Sequence, residues 1–331
     1  MKLISNKNIS DPTVNLALEE YCVRNLDTQN ESYILFYINQ PSIIIGKHQN
    51  TIEEINQQYV NDNDIIVVRR ISGGGAVYHD FGNLNFSFLS KHTDDSIHNF
   101  EKFTRPVSEA LKRLGVNAGL GGRNDIIVDG RKISGNAQFT NMKSMFSHGT
   151  LLFNSHLENV VEALNVKIDK IESKGIKSIR SRVANITEFL NERMSIDEFQ
   201  EIITESIFNG KENIIEQEIA DKDWQEVYKL SNTKYRTWEW NYGRSPEFNI
   251  QKIKRFDFGQ IDTRIFVKDG KIEDIKFFGD YLGYGETEDI EGMLRKRNYR
   301  EQDLKEVLKN VDLKFYFGDL SPEDFVRFLC Y

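Results

Sequence analysis

Two cysteines and five prolines are spread over 331 residues, and their scarcity excludes whole classes of protein. Cys22 and Cys330 are too few and too badly spaced for a zinc site or a disulfide framework, so both read as reduced thiols, with Cys22 as a small buried hydrophobe. No apolar run approaches the length that spans a bilayer, and the opening MKLISNKNIS lacks the apolar centre of a secretory leader. A cytoplasmic protein without membrane attachment is expected. The metalloprotease pattern HExxH, the Walker A phosphate loop and the nucleophile elbow GxSxG are all missing. A formal net charge of −8 excludes the broad basic face that nonspecific nucleic-acid binding needs. An anionic substrate must therefore be met by cations gathered locally.

The chemistry that is there concentrates in RRISGGGAVYHD, Arg69 to Asp80, where two arginines leave an apolar β-branched run and enter three consecutive glycines. The run Ile65-Ile66-Val67-Val68 has the composition of a buried strand. Backbone amides freed of Cβ atoms can touch a ligand, and an arginine fork beside them suits phosphate or carboxylate oxygens. Farther on, NDIIVDGRKISGNAQ (Asn124 to Gln138) puts Asp129-Gly130 at a two-residue hairpin turn and Lys132 on the return strand before Gly135. HGTLLFN opens another strand at Gly149, directly after His148. Glycine-interrupted strands carrying Arg70 and Lys132 predict one pocket with a cationic floor.

The rest of the pattern predicts an α+β fold of mixed sheets flanked by helices. Asp11-Pro12 is a helix start, and Val14, Leu18 and Cys22 repeat on one face of the helix that follows. Strands are expected at 33–38, 42–45, 65–70, 84–89, 125–128, 132–138 and 149–153, with helices at 100–114 and 196–208 and a shorter one before Leu164. Glycine and proline punctuate the polar stretch 241–248, which divides a catalytic domain, 1–245, from an accessory domain, 246–331. In the latter, 261–267 and 272–278 alternate around Asp269-Gly270 as a hairpin, followed by three short amphipathic helices. At 331 residues, 39% hydrophobic and 28% charged, the chain has the size and composition for two such globular cores.

Four segments in one order, RRISGGGAVYHDFGNLNFSF, GRKISGNAQ, SHGTLLF and SKGIKSIRSRVANITEF, carry a close resemblance to the lipoate-protein ligases of the biotin/lipoate ligase superfamily. WEWNYGRSPEF and the segment around FFGDY extend the resemblance over nearly the whole chain. It implies ATP-dependent activation of lipoate to lipoyl-AMP and transfer to a lysine of an apo carrier domain, such as a 2-oxoacid dehydrogenase E2 subunit or the glycine cleavage H protein. A monomer using ATP and Mg²⁺ is expected.

The resemblance also implies roles. Lys132 occupies the family's lysine position; an ammonium there offsets the repulsion between a carboxylate and the α-phosphate it attacks. Without that context it reads as a solvated hairpin lysine. Arg70 is the second cation, clamping phosphate or carboxylate, while Arg69 reads as structural. Ala76, Val77 and Tyr78 match the ATP-binding stretch. Ser72, Gly73, Gly74, Gly75 and Gly135 are expected against the lipoyl chain and adenylate, with His79, His148 and Gly149 positioning it. Lys174, Gly175, Ser178 and Arg180 belong to a basic adenylate-binding loop, which otherwise reads as a solvated charge run. The first helix supplies Leu16, Ala17 and Glu20 to the wall of an apolar tunnel. Asp125, with Asn124, is the candidate Mg²⁺ ligand, or else an aspartate tying down its turn. Two other readings stay open: an octanoyl or lipoyl carrier-to-carrier transferase working through a cysteine thioester, and a noncatalytic module that binds lipoate or carriers.

Overall fold

A computed structural model describes residues 1–164, 182–243, 249–268 and 270–330. In chain order the strands are β1 (Lys2–Ile4), β2 (Tyr33–Ile38), β3 (Ser42–Ile45), β4 (Ile66–Arg69), β5 (Val77–His79), β6 (Asn83–Lys91) and β7 (Gly119–Gly121). They continue as β8 (Asp125–Val128), β9 (Arg131–Thr140), β10 (Ser144–Leu152), β11 (Glu216–Gln217), β12 (Ile250–Phe256), β13 (Gly259–Lys268) and β14 (Lys271–Gly279). An eight-stranded mixed sheet runs β11-β1-β2-β6-β10-β9-β8-β7, and a small sheet runs β4-β3-β5.

Strand β6, NLNFSFLSK, shows why the large sheet is covered on both sides. Leu84, Phe86 and Phe88 point into a core shared with Phe103, Val107 and Leu111 of helix Phe100–Arg113 and Phe199 and Ile203 of helix Ile196–Phe208. Asn83, Asn85 and Ser87 alternate with them and are equally buried, so the opposite face of the sheet is polar along this strand. Over that face lie the first helix, Pro12–Asn25, and the small sheet, joined through Val14, Leu18, Cys22, Ile44 and Val68. Asp11 caps the helix by accepting from the Thr13 amide at 2.8 Å, and Pro12 occupies its first turn, as the sequence predicts.

The Asp129-Gly130 turn has positive φ at both residues (49° and 75°), the conformation that joins β8 to β9 without splaying them. The C-terminal part is an antiparallel sheet, β12-β13-β14, packed on helices through Ile261, Ile275, Phe277 and Phe325. The hairpin expected there is β13-β14. Two features exceed the expectation. Strand β12, IQKIKRF, is an exposed edge whose lysines and arginine hide its strand character, and helix Leu313–Tyr316 is a single turn beside Thr287–Leu294, Glu301–Leu308 and Pro322–Cys330.

Candidate functional site

The pairing of β8 with β9 slips by one residue between Ile126 and Ile127: Ile126 faces Ser134, but Ile127 faces Lys132. The extra residue is Ile133, wholly buried in the core beneath the sheet. This bulge lets Lys132 and Gly135 emerge on the same face. A Cβ on Gly135 would stand 2.9 Å from the Lys132 ammonium, so the glycine leaves room for that side chain to lie along the strand. Lys132 Nζ meets Asp125 Oδ1 at 2.8 Å. Its backbone is also tied: Lys132 N–H donates to the Arg182 carbonyl at 2.6 Å, and Ala184 N–H to the Lys132 carbonyl at 2.9 Å. The described end of the basic segment is thus anchored on the lysine strand. Lys174, Gly175, Ser178 and Arg180 lie outside the described residues.

Lys132 lines a cleft of about 150 Å³ between the large sheet, the small sheet and the first helix. Of the residues singled out by sequence, Leu16, Arg70, Gly74, Gly75, Ala76, Val77, His79, Lys132, Gly135, His148 and Gly149 line it. Tyr37, Ile44, Asn85, Asn124, Asn136, Ala137 and Thr150 line it too. The signal for Asn85 was the polar alternation within NLNFSF; Tyr37 is its cross-strand partner and has no signal of its own.

Arg70 is buried and clasps the glycine turn. Its Nη2 donates to the carbonyls of Gly73 (2.6 Å) and Gly75 (2.9 Å), Nη1 to that of Ile44 (3.1 Å), and Nε to Ser72 Oγ (3.0 Å). Gly74 sits at φ +93°, with the guanidinium where a side chain would begin, so glycine is required there. Burial lowers the Arg70 pKa to about 10, against the pull of Tyr37 and Glu19, which leaves it charged at neutral pH. With four N–H groups spent on the protein, the guanidinium shapes the turn. Arg69, on the other face of β4, donates to the carbonyls of Gly46, Gln49 and Trp240 and is structural, as expected.

The two histidines are held differently. His148 bridges Glu19 and Ser72: Nδ1–H donates to Glu19 Oε1 at 2.9 Å, and Nε2 meets Ser72 Oγ at 2.7 Å. His79 Nδ1 meets the Asn39 amide nitrogen at 3.0 Å, and burial, helped by Arg70 and His148, pushes its pKa down to about 3.

Several of the residues singled out by sequence lie outside the cleft lining. Ala17 and Glu20 are not among the residues that line the cleft; Leu16 is, and Glu19, three positions on along the same helix, stands behind the lining, where it holds His148. Glu20 points the other way, to Lys234 Nζ (2.7 Å) and Tyr235 Oη (2.6 Å). Burial works to raise its pKa, but Lys234 and the Tyr235 hydroxyl outweigh it and hold the carboxyl below its ordinary range. At Lys234 burial wins over the same pairing and lowers the ammonium pKa. Tyr78 lies between Val77 and His79 on β5, so alternation turns it away from the cleft, toward Asn159. Ser72 and Gly73 sit behind the lining, Ser72 on His148 and Gly73 against the Tyr281 carbonyl. Asp125 is engaged by Lys132. Cys22 is fully buried in the core under the first helix, where burial raises its thiol pKa, and neither cysteine lines the cleft.

The C-terminal part closes over the glycine turn. Gly74 N–H donates to the Tyr281 carbonyl (3.3 Å), Gly279 N–H to that of His48 (2.7 Å), and Lys47 pairs with Glu286 at 2.9 Å. In the basic run Arg295, Lys296, Arg297 and Arg300, three members pair with Asp274, Glu273 and Asp303, and Arg297 donates to the Met293 carbonyl. No helix among the described residues is long and apolar enough to cross a membrane.

Residues 11–208 match the family profile of the lipoyl protein ligase A/B catalytic domain, and residues 245–329 that of the bacterial lipoate protein ligase C-terminus. Lipoate-protein ligase LplJ of Bacillus subtilis is 58% identical over 328 residues, covering 98% of this chain and 99% of its own length. Lipoate–protein ligase 1 of Staphylococcus aureus is 54% identical, covering 99% and 100%. The crystal structure of P. falciparum LipL1 in complex with lipoate superposes with a TM-score of 0.75 at 26% identity, covering 94% of each chain. That of lipoate-protein ligase A bound with ATP gives 0.62 at 29%, covering 73% of this chain and 98% of the other. The fold is that of an acid–amine ligase that works on a protein substrate. The chain belongs to the lipoate-protein ligase family.

Proposed function

We propose that this protein activates free lipoate with ATP and passes the lipoyl group to a lysine of an apo carrier domain. A lipoate carboxylate oxygen attacks the α-phosphorus, pyrophosphate leaves, and lipoyl-AMP remains; the carrier amine, having lost a proton, then attacks the acyl carbon and AMP departs. The observation that carries the reading is the bulge that delivers Lys132 to the cleft. One ammonium within reach of both oxyanions offsets their repulsion in a partly dry site, and later polarises the acyl carbonyl. Bound lipoate in one relative and ATP in another support the two substrates.

Mg²⁺ belongs to this reading as the companion of the triphosphate. Asp125 at the cleft's edge fits the sparse carboxylate set that magnesium uses beside phosphate oxygens, and would have to leave Lys132 to serve. An archaeal relative, 31% identical, is described with its E2 lipoyl domain, which supports E2 subunits as carriers; the glycine cleavage H protein follows by the same carrier chemistry. We assign catalysis to residues 1–245 with 246–331 as accessory unit, and a monomer working in the cytoplasm, where ATP is supplied. The test is lipoate-dependent exchange of pyrophosphate into ATP, followed by a mass increase of a purified apo carrier. A thioester transferase or a silent binding module shows no exchange, and either result would end the proposal.

A further inference from the structure

The geometry points to His79 as the residue that reads the sulfur end of the acyl chain, its Nε2–H donating to a dithiolane sulfur and so separating lipoate from sulfur-free fatty acids of similar length. This inference rests on the function proposed above.

The tautomer of His79 is fixed from outside the cleft. The Ile9 carbonyl, which can only accept, takes hydrogen bonds from the amide nitrogens of Asn6 (2.9 Å) and Asn15 (2.8 Å), and this sets the orientation of both side chains. The second N–H of Asn15 goes to Asn39 Oδ1 at 2.9 Å. Asn39 must therefore turn its own nitrogen to His79 Nδ1, at 3.0 Å. Nδ1 is the acceptor, and in the neutral ring the proton sits on Nε2.

That N–H has no partner among the described residues, although His79 is only 4% exposed and lines the cleft. An orphaned buried donor is rare and costly, so it calls for an acceptor that arrives with the ligand. Around it Asn85 is engaged with the Tyr37 carbonyl, His148 with Glu19 and Ser72, and Arg70 with its four acceptors; Asn136 Oδ1, also buried without a partner among the described residues, is an acceptor on β9, the strand of Lys132.

Position decides which ligand atom arrives. Tyr37 of β2 pairs with Asn85 of β6, Asn85 with Thr150 of β10, and Gly135 of β9 bonds Thr150 Oγ1. Lys132 lies at the β9 end of this row, and Asn39, which holds His79, directly follows β2. The row spans three strand spacings, about 14 Å. An acid whose carboxylate is held at Lys132 thus extends its tail toward His79. In lipoate that tail carries two sulfurs, which are weak acceptors; in octanoate it carries none and leaves the donor unpaired.

The expected discrimination is about tenfold in kcat/KM, the scale set by one weak hydrogen bond against one unpaired buried donor. Lipoate- and octanoate-dependent pyrophosphate exchange would be compared in wild type, His79→Phe and His79→Gln. The lipoate-over-octanoate ratio should fall about tenfold in His79→Phe and recover in His79→Gln, whose amide restores an N–H. A ratio unchanged in His79→Phe would overturn the assignment, since a merely structural histidine lowers both activities together. Should His79→Phe not fold, the imidazole Nε2–H resonance of the ¹⁵N-labelled wild type decides: it should move on adding lipoate and stay on adding octanoate, and equal movement with both acids refutes the inference. Absence of any lipoate-dependent exchange in wild type would instead sink the function itself.

Discussion

Lys132 Nζ lies 2.8 Å from Asp125 Oδ1, and the two side chains reach each other on the cleft face because β9 carries one more residue than β8 between their pairing positions. Both are partly exposed, so the pair adds little to stability; it keeps the ammonium in the cleft when no substrate competes. Lys132→Ala should lower lipoate-dependent pyrophosphate exchange by about two to three orders of magnitude, the scale of a lost electrostatic stabiliser. Asp125→Asn should cost less than about tenfold, because the substrate oxyanions replace Asp125 as the lysine's partners. Initial rates at saturating ATP check both. Equal losses would mean that Lys132 acts through its pairing with Asp125 rather than on the substrate oxyanions.

Arg70 joins β3, Ser72 and the glycine turn with one planar group. Lysine cannot reproduce that fork, so Arg70→Lys should leave two or more buried carbonyls unpaired and reduce unfolding free energy by about 2–4 kcal/mol. Urea denaturation measures this. Amide exchange at Gly74, which donates to Tyr281, should quicken as the turn loosens.

Much of this site is legible in the order of residues, and its failures have identifiable causes. Arg70 and the glycine triplet stand out as a cation beside backbone without Cβ atoms, whereas Lys132 reads as a solvated hairpin lysine until the family resemblance gives it a role. The Asp129-Gly130 turn fixes β8 against β9. What the pattern does not reveal is the bulge at Ile133, since an extra apolar residue in an apolar strand changes no composition, yet it decides which face Lys132 takes. Tyr78 turns its side chain from the cleft for a simple reason: a motif names three consecutive residues, and a strand presents only alternate side chains on one face. Glu19 and Glu20 are adjacent and chemically identical. Only packing of the first helix against Tyr235 on one side and His148 on the other distinguishes them.

That distinction is measurable. Glu20→Gln weakens the buried cluster with Lys234 and Tyr235 and should destabilise the fold by about 1–3 kcal/mol, while the KM for lipoate changes by less than about twofold. Glu19→Gln loosens His148 and Ser72 beside the cleft and should raise the KM for lipoate. Reversed phenotypes would restore Glu20 to the wall of the acyl site.

His79 also gives the fold a pH signature. Its pKa falls from an ordinary 6.5 to about 3, chiefly through burial. Above pH 6.5 the ring is neutral in the folded and unfolded chain alike, and pH has no effect through it. Below 6.5 the unfolded chain takes up a proton that the folded chain refuses, so stability is lost as pH falls toward 3, at about 1.4 kcal/mol per pH unit. Between pH 7.5 and 5.0 the loss from this residue should reach about 2 kcal/mol. Carboxylates held below their ordinary range, such as Glu20, titrate beneath that window. His98, whose pKa is also lowered by burial, is present in wild type and His79→Phe alike and cancels between them. Urea unfolding at the two pH values should therefore show a drop in wild type that exceeds the drop in His79→Phe by about 2 kcal/mol. Identical drops in the two proteins would mean that His79 takes up its proton in the folded state as readily as in the unfolded one.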